Sequence, residues 1–286
     1  MEIGAKFTPL IYTPKNLSEA LSLLNAHPFS EVYAGGTGRL PDSQDETLRL
    51  GKTTLSLHLL EELRKVGLGE RSFDLGAGLT LNQVSLAGKN IVDPILRKAV
   101  LQIGSQALRN LATLGGNLCQ KGHFGDLFPV LYTLGAQFEF KSLRSSRWVA
   151  APAAQDSEAL LPQHGELMTR VRLPQETWQK SFYERIGHYR TPWDERLSMV
   201  CLAKIKEDVL TQFRLCFFLP QAGLVRDRKM EAELSGQSLP LGPKERQNVL
   251  AAIQNAVEAL PRAPTAFQRE RINQMTRWIL PQVQEE

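Results

Sequence analysis

The sequence predicts an α+β fold, and three observations carry that expectation. Helices and strands are mixed over the first half, a meander of strands follows, and helices close the chain, so regular βαβ alternation is absent. The chain has 286 residues, 42% apolar and 22% charged, which suits one large domain or two smaller ones. Gly76-Ala77-Gly78, the one opening of a dinucleotide fingerprint, has Leu81 where the third glycine belongs, and a doubly wound Rossmann sheet is disfavoured.

Near the start, Asn16-Leu17-Ser18-Glu19 places a capping residue three positions before a glutamate. Leu17, Ala20, Leu21 and Leu24 then recur at helical spacing. Glu31-Val32-Tyr33-Ala34 reads as a strand running directly into Gly35-Gly36-Thr37-Gly38. A second helix is expected from Leu55 to Val66, then a strand at Phe73-Asp74-Leu75. Ile95, Leu96, Ala99, Val100 and Ile103 mark a buried helical face ended by Gly104. Ser105 to Asp126 is polar and glycine-rich and reads as a long loop, a class that is commonly functional. Leu127, Val130, Leu131 and Leu134 form another helical face, and Gln137 to Lys141 alternates like a strand.

Beyond an Ala-, Pro- and Gln-rich stretch from Ala151 to Gly165, a domain boundary is expected near Pro174, dividing 1–174 from 175–286. Strands follow around Ser181–Ile186, Met199–Lys206 and Thr211–Leu219, the last two joined as a hairpin at Glu207-Asp208. Helices at about Pro243–Leu260 and Pro264–Leu280 complete the chain.

Several classes of function are disfavoured. A net charge of +4, from 34 basic and 30 acidic residues, with no basic block interleaved with aromatics, does not suggest a nucleic-acid partner. The longest apolar stretch, Val209 to Pro220, is interrupted by Gln212 and Arg214 and is shorter than the roughly 20 residues of a membrane span. The N-terminus lacks signal-peptide character, and Cys119, Cys201 and Cys216 are scattered. A reduced, cytoplasmic protein without its own zinc or iron–sulfur ligand set is expected.

Two phosphate motifs fail on inspection. Gly51-Lys52-Thr53 would need a glycine where Glu46 stands, and Gly76-Ala77-Gly78 has Leu81 in place of the third glycine. The two Gly-Gly stretches remain. Glycine lets successive N–H groups approach an anionic diphosphate with no Cβ in the way. Either pair alone reads more readily as an ordinary turn.

Over nearly its whole length the sequence resembles the FAD-binding subunit of molybdenum hydroxylases, the medium chain of the xanthine dehydrogenase and carbon monoxide dehydrogenase group. The resemblance runs through Phe7, Pro14-x-x-Leu17-x-Glu19-Ala20, Ala34-Gly35-Gly36-Thr37 and Gly76-Ala77-Gly78-Leu79-Thr80-Leu81. It is strongest at Arg109-Asn110-Leu111-Ala112-Thr113-Leu114-Gly115-Gly116-Asn117-Leu118 and at Gly125-Asp126-Leu127-x-Pro129-Val130-Leu131. Gly165-Glu166-Leu167, Phe182-Tyr183-Glu184-Arg185 and Glu231-Ala232-Glu233-Leu234-Ser235-Gly236 extend it toward the C-terminus.

The resemblance implies a PCMH-type FAD domain of two subdomains with the dinucleotide extended between them, then a smaller domain of antiparallel strands and helices. It implies that Val32, Tyr33, Ala34, Gly35, Gly36, Thr37, Gly38 and Arg39 hold the pyrophosphate from one side. Thr113, Gly115, Gly116 and Asn117 would hold it from the other. Asp126 falls where the family acid contacts the adenosine ribose, although capping of the following helix is also open to it. Ile103 and Met168 match apolar positions near the flavin or adenine, and by themselves read more readily as core. Arg185 replaces a lysine near the flavin and would keep a positive charge there.

The sequence departs from the family pattern at Gly38, where an acid is common, and at Lys121-Gly122-His123-Phe124 ahead of Gly125. His123 reads as a proton shuttle or as a packed loop residue, and Cys119 as packing. The implied role is electron transfer: FAD takes electrons from a [2Fe–2S] partner subunit, itself serving a molybdenum-cofactor subunit, and passes them to NAD⁺ or another acceptor. A non-catalytic assembly or ligand-binding protein of the same fold, or a free-standing flavin oxidase, are the other readings.

Overall fold

The computed structural model describes residues 8–38, 50–87, 94–121, 125–151, 157–187 and 191–284. In chain order, the first elements are β1 (Leu10–Tyr12), α1 (Leu17–Ala26), β2 (Glu31–Tyr33), β3 (Thr53–Ser56), β4 (Val66–Leu68), β5 (Ser72–Gly76), α2 (Leu81–Ala87) and α3 (Pro94–Leu101). Next come α4 (Gln106–Leu111), α5 (Leu114–Leu118), α6 (Phe128–Leu134), β6 (Gln137–Lys141), β7 (Ser146–Ala150) and β8 (Leu167–Pro174). The remainder is β9 (Lys180–Ile186), β10 (Leu197–Lys206), β11 (Val209–Leu219), β12 (Gly223–Val225), α7 (Arg228–Leu234), β13 (Gln237–Ser238), α8 (Pro243–Glu258) and α9 (Ala266–Gln284). The α+β class expected from the sequence holds.

The chain divides into two compact units. The first comprises Met1–Ala87, Ser105–Gly125 and Ala136–Pro174, and the second Gly88–Gly104, Asp126–Gly135 and Gln175–Glu286.

The first unit holds two sheets. One is parallel, in the order β1-β3-β2, and the other is antiparallel, in the order β4-β5-β8-β6-β7. Helix α1 begins as its sequence demands, with Asn16 Oδ1 accepting from the Glu19 N–H at 2.8 Å. The glutamate reaches back one residue further than a capping box would, accepting from the Lys15 N–H at 2.8 Å. The helix expected from Leu55 to Val66 is not formed. Leu55 lies in β3, the central strand of the parallel sheet, and is buried with Leu21 and Leu24 of α1. The β-branched Thr53-Thr54 pair favours that strand, and only the short 3-10 turn Glu61–Arg64 survives of the expected helix.

The expected loop from Ser105 to Asp126 is also corrected, since it contains α4 and α5. Both helices are too short for apolar periodicity to show, and each is set by a hydroxyl cap. Ser105 Oγ accepts from the Leu108 N–H at 3.2 Å, and Thr113 Oγ1 from the Gly116 N–H at 3.1 Å.

The second unit is built on an antiparallel sheet, β12-β11-β10-β9, with β13 beside β11. Glu207 and Asp208 join β10 to β11 with φ of 51° and 59°, the two positive values of a tight hairpin turn. Alternate residues Leu197, Met199, Cys201 and Ala203 of β10, with Leu215, Phe217 and Leu219 of β11, bury one face against Val249 and Ile253 of α8 and Ile272 and Ile279 of α9. The same strands contact α6, and α3 contacts β9, so both faces of this sheet carry helices. The exposed end of α3 leads through Gln102 and Ile103 to Gly104, whose φ is +52°.

Candidate functional site

Strand β2 delivers the chain into Ala34-Gly35-Gly36-Thr37-Gly38. Leu57 N–H donates to the Tyr33 carbonyl at 2.8 Å, which fixes the exit of the strand. Beyond that point none of the backbone N–H groups from Ala34 to Gly38 donates to a described residue. Glycine is needed at two of these positions for different reasons. A Cβ on Gly35 would overlap the backbone carbonyl of Leu111, so the loop packs directly on the end of α4. Gly36 has φ of +69°, and a Cβ there would overlap the Tyr33 phenol. The left-handed conformation strongly disfavours any other residue. The result is a run of consecutive N–H donors with the Thr37 hydroxyl among them, held in place from below by Leu111 and flanked by a tyrosine.

The stretch Thr113–Asn117 is built differently. Leu114 N–H donates to Leu79 O at 2.9 Å, Gly115 N–H to Ala77 O at 2.8 Å, and Asn117 N–H to Thr113 O at 2.9 Å. With Gly116 N–H on the Thr113 hydroxyl, every backbone donor from Leu114 to Asn117 is engaged within the unit. Gly115 lies against Ala77, with a Cβ there only 3.1 Å from the Ala77 carbonyl oxygen. Among the described residues the Thr113 N–H is the backbone donor of this stretch without an acceptor, so what the stretch can present to a ligand is chiefly the side-chain chemistry of Thr113 and Asn117.

Met168, on β8, belongs to the same unit and is buried. Its sulfur lies 3.8 Å from Cys119 Sγ, immediately after α5. Burial pushes the Cys119 thiol up to about 12, so it stays protonated at neutral pH and carries no thiolate chemistry.

The second unit brings together Ile103, Asp126 and Arg185. Asp126 does not cap α6: the N-cap position is Leu127, without a side-chain hydrogen bond, and Pro129 stands in the first turn. Its carboxylate instead meets Arg185, with Asp126 Oδ1 3.2 Å from Arg185 Nη2. Arg185 Nη1 donates to the Gln102 carbonyl at 3.2 Å, next to buried Ile103. Arg185 is only 9% exposed in its side chain, against 33% for Asp126; the guanidinium is fixed and the carboxylate partly open.

Arg196, Tyr183 and Ser198 line the same cleft. The strand register accounts for them, since β9 and β10 pair Arg185 with Ser198. Burial holds the Arg196 guanidinium below its usual range, opposed by Asp126 and reinforced by the like charge of Arg185. Burial likewise raises the Tyr183 phenol, with Asp126 adding to the rise and Arg185 and a hydrogen bond to Ser198 opposing it. Tyr183 is therefore a neutral hydrogen-bonding group at physiological pH.

The structure thus gathers Val32 to Gly38, Thr113 to Asn117 and Met168 in one unit, and Ile103, Asp126 and Arg185 in the other. Arg39 and His123 lie outside the described residues. Gln102, Tyr183, Arg196 and Ser198 are not among the site residues expected from the sequence; Tyr183 shares a strand face with Arg185, the register of β9 on β10 brings in Ser198, and Arg196 and Gln102 arrive from just outside β10 and α3. The donor chemistry fits a flavin dinucleotide. Open backbone N–H groups suit a diphosphate, a carboxylate accepts ribose hydroxyls, and arginines suit electron-rich polar edges. Among the described residues no group of three His, Cys, Asp or Glu side chains could hold a metal ion, and no helix is long and apolar enough to cross a membrane.

Comparison with known proteins agrees with this chemistry. Residues 5–176 match the family model of the FAD binding domain in molybdopterin dehydrogenase. The chain is 29% identical over 175 residues to the nicotinate dehydrogenase FAD-subunit of Eubacterium barkeri, an alignment that spans 56% of each chain. It is 24% identical over 280 residues to a putative xanthine dehydrogenase FAD-binding subunit of Escherichia coli, covering 92% of each. Quinoline 2-oxidoreductase from Pseudomonas putida 86 has the same fold, with a TM-score of 0.75 at 21% identity over 97% of this chain and 96% of that one. By its sequence match, its fold and its donor chemistry, this chain belongs to the family of FAD-binding domains of molybdopterin dehydrogenases, the flavoprotein subunits of molybdenum hydroxylases.

Proposed function

We propose that this chain is the electron-transfer flavoprotein subunit of a xanthine dehydrogenase-like molybdenum hydroxylase, receiving electrons from a [2Fe–2S] subunit and passing them to NAD⁺ or another acceptor. Residues 1–174 form its FAD-binding domain and 175–286 its C-terminal domain. Bound FAD supplies the redox chemistry, accepting and releasing electrons singly or in pairs. The protein supplies binding and orientation. The observation that carries the reading is the loop Ala34–Gly38, whose consecutive N–H groups have no acceptor among the described residues. These donors hold the diphosphate, joined by the Thr113 hydroxyl and the Asn117 amide. Asp126 accepts from the adenosine ribose, and Ile103 and Met168 contribute apolar surface toward the ring systems.

Iron–sulfur clusters and the molybdenum cofactor belong to other chains in this reading. The three cysteines are free; Cys201 and Cys216 are buried, and burial raises all three thiols. The substrate of the whole enzyme is then set by the molybdenum subunit. Purification tests the first half: the protein should be yellow, and acid precipitation should release FAD. Reconstitution tests the second. Flavin reduction by substrate should require both partner subunits in a stopped-flow mixture. Substrate-driven flavin reduction by this chain alone would overturn the relay and favour a free-standing oxidase.

A further inference from the structure

Arg185 occupies the position from which a basic residue would be expected to face the flavin, yet its geometry gives it other work. One end of its guanidinium is tied to the Gln102 carbonyl and the other to Asp126 Oδ1, each at 3.2 Å, and its side chain is 9% exposed. A planar guanidinium with a hydrogen bond at one amino group and an ion pair at the other has a fixed orientation, because rotation would give up one contact or the other. Asp126 gains from this. It precedes α6 without capping it, so nothing in the helix start orients the carboxylate. Arg185 engages Oδ1 and leaves Oδ2 to accept from a ligand, while Arg196 keeps a second positive charge close enough to act on the same carboxylate.

We infer that Arg185 is a positioning residue for Asp126: it holds the carboxylate in the orientation that reads the ribose hydroxyls of an adenine nucleotide, and does not itself contact the flavin. The inference rests on the reading of Asp126 as the ribose acceptor. A charged acceptor already fixed in its bound orientation loses less freedom when the hydroxyls arrive.

The test uses the full chain in four forms, wild type, D126N, R185Q and the double variant, with R185K as the conservative replacement. For each, FAD and ADP affinities are measured by calorimetry, the midpoint potential of bound FAD by redox titration, and the melting temperature of the protein without ligand. ADP carries the adenosine ribose and no flavin, so it separates the two ends of the ligand.

The expected result is a loss of about tenfold in both FAD and ADP affinity for D126N and for R185Q, the scale of one charge-assisted hydrogen bond. The double variant should be no weaker than D126N, R185K should recover part of the loss, and the flavin potential should not move. A shifted potential in R185Q with ADP affinity intact would overturn the inference and place Arg185 at the flavin. A further tenfold loss on adding R185Q to D126N would also overturn the inference, by showing that Arg185 acts independently of Asp126. If D126N binds both ligands like wild type, the ribose reading itself fails. If D126N is weakened and R185Q is not, only the positioning role fails. Should R185Q not fold, R185K carries the same comparison.

Discussion

In the loop Ala34–Gly38 the backbone donors have no acceptor among the described residues, while in Thr113–Asn117 every N–H from Leu114 onward has an acceptor inside its own unit. Gly36 is glycine because its φ is +69°, and Gly35 because Leu111 backbone lies against it. Gly115, by contrast, is where α5 packs against Ala77. The same dipeptide serves ligand presentation in one place and close packing of a short helix in the other. What decides between these uses is where the backbone hydrogen bonds go.

Substitutions should separate the two loops, beginning with the largest effect. Gly35→Ala drives a Cβ into the Leu111 carbonyl and should destabilise the protein by about 3 kcal/mol, in the range of overpacked sites. FAD binding should be lost with it. Chemical denaturation and flavin content are the measurements, and an unchanged midpoint would mean the loop does not pack on α4.

Gly36→Ala should cost about 2 kcal/mol for the left-handed backbone, with a further steric contribution from the Tyr33 ring. Adding Tyr33→Ala should relieve only the steric part, so the double variant should be less destabilised than the sum of the two single variants. Simple additivity in the urea midpoints would show that ring and glycine do not touch.

In the second stretch the effects are smaller. Thr113→Val removes the cap on α5 and should cost about 1 kcal/mol, whereas Thr113→Ser should retain it. Gly116→Ala should be smallest, within about 0.5 kcal/mol of wild type. Its Cβ meets Thr113 Oγ1 at 2.8 Å, but alanine also favours the helix. If Gly116→Ala weakened FAD binding more than Gly36→Ala did, the roles assigned to the two loops would be reversed.

Much of the fold was legible because its signals are local. The Asn16 cap, the Glu207-Asp208 turn and the alternation along β10 and β11 all follow from residue types at fixed spacing. Leu55 misled because a central strand buried on the α1 side presents apolar residues that a helix pattern also accommodates. Helices α4 and α5 escaped notice because six and five residues cannot display a helical repeat, and glycines in α5 suggest a loop. The two glycine stretches were legible as places, but not as different devices: hydrogen bonds from Gly115 to Ala77 and from Leu114 to Leu79 join segments more than thirty residues apart. The link between Arg185 and Asp126 was hidden for the same reason, since it depends on how β9 and the start of α6 come together.

The central claim, that one loop offers backbone donors and the other has already used them, is tested most directly by amide hydrogen exchange with and without FAD. Amides from Ala34 to Gly38 should exchange rapidly in the free protein and become protected when FAD binds. Those from Leu114 to Asn117 should be protected in both states. Protection of Ala34–Gly38 before FAD is added, or a gain on binding confined to Leu114–Asn117, would contradict the account.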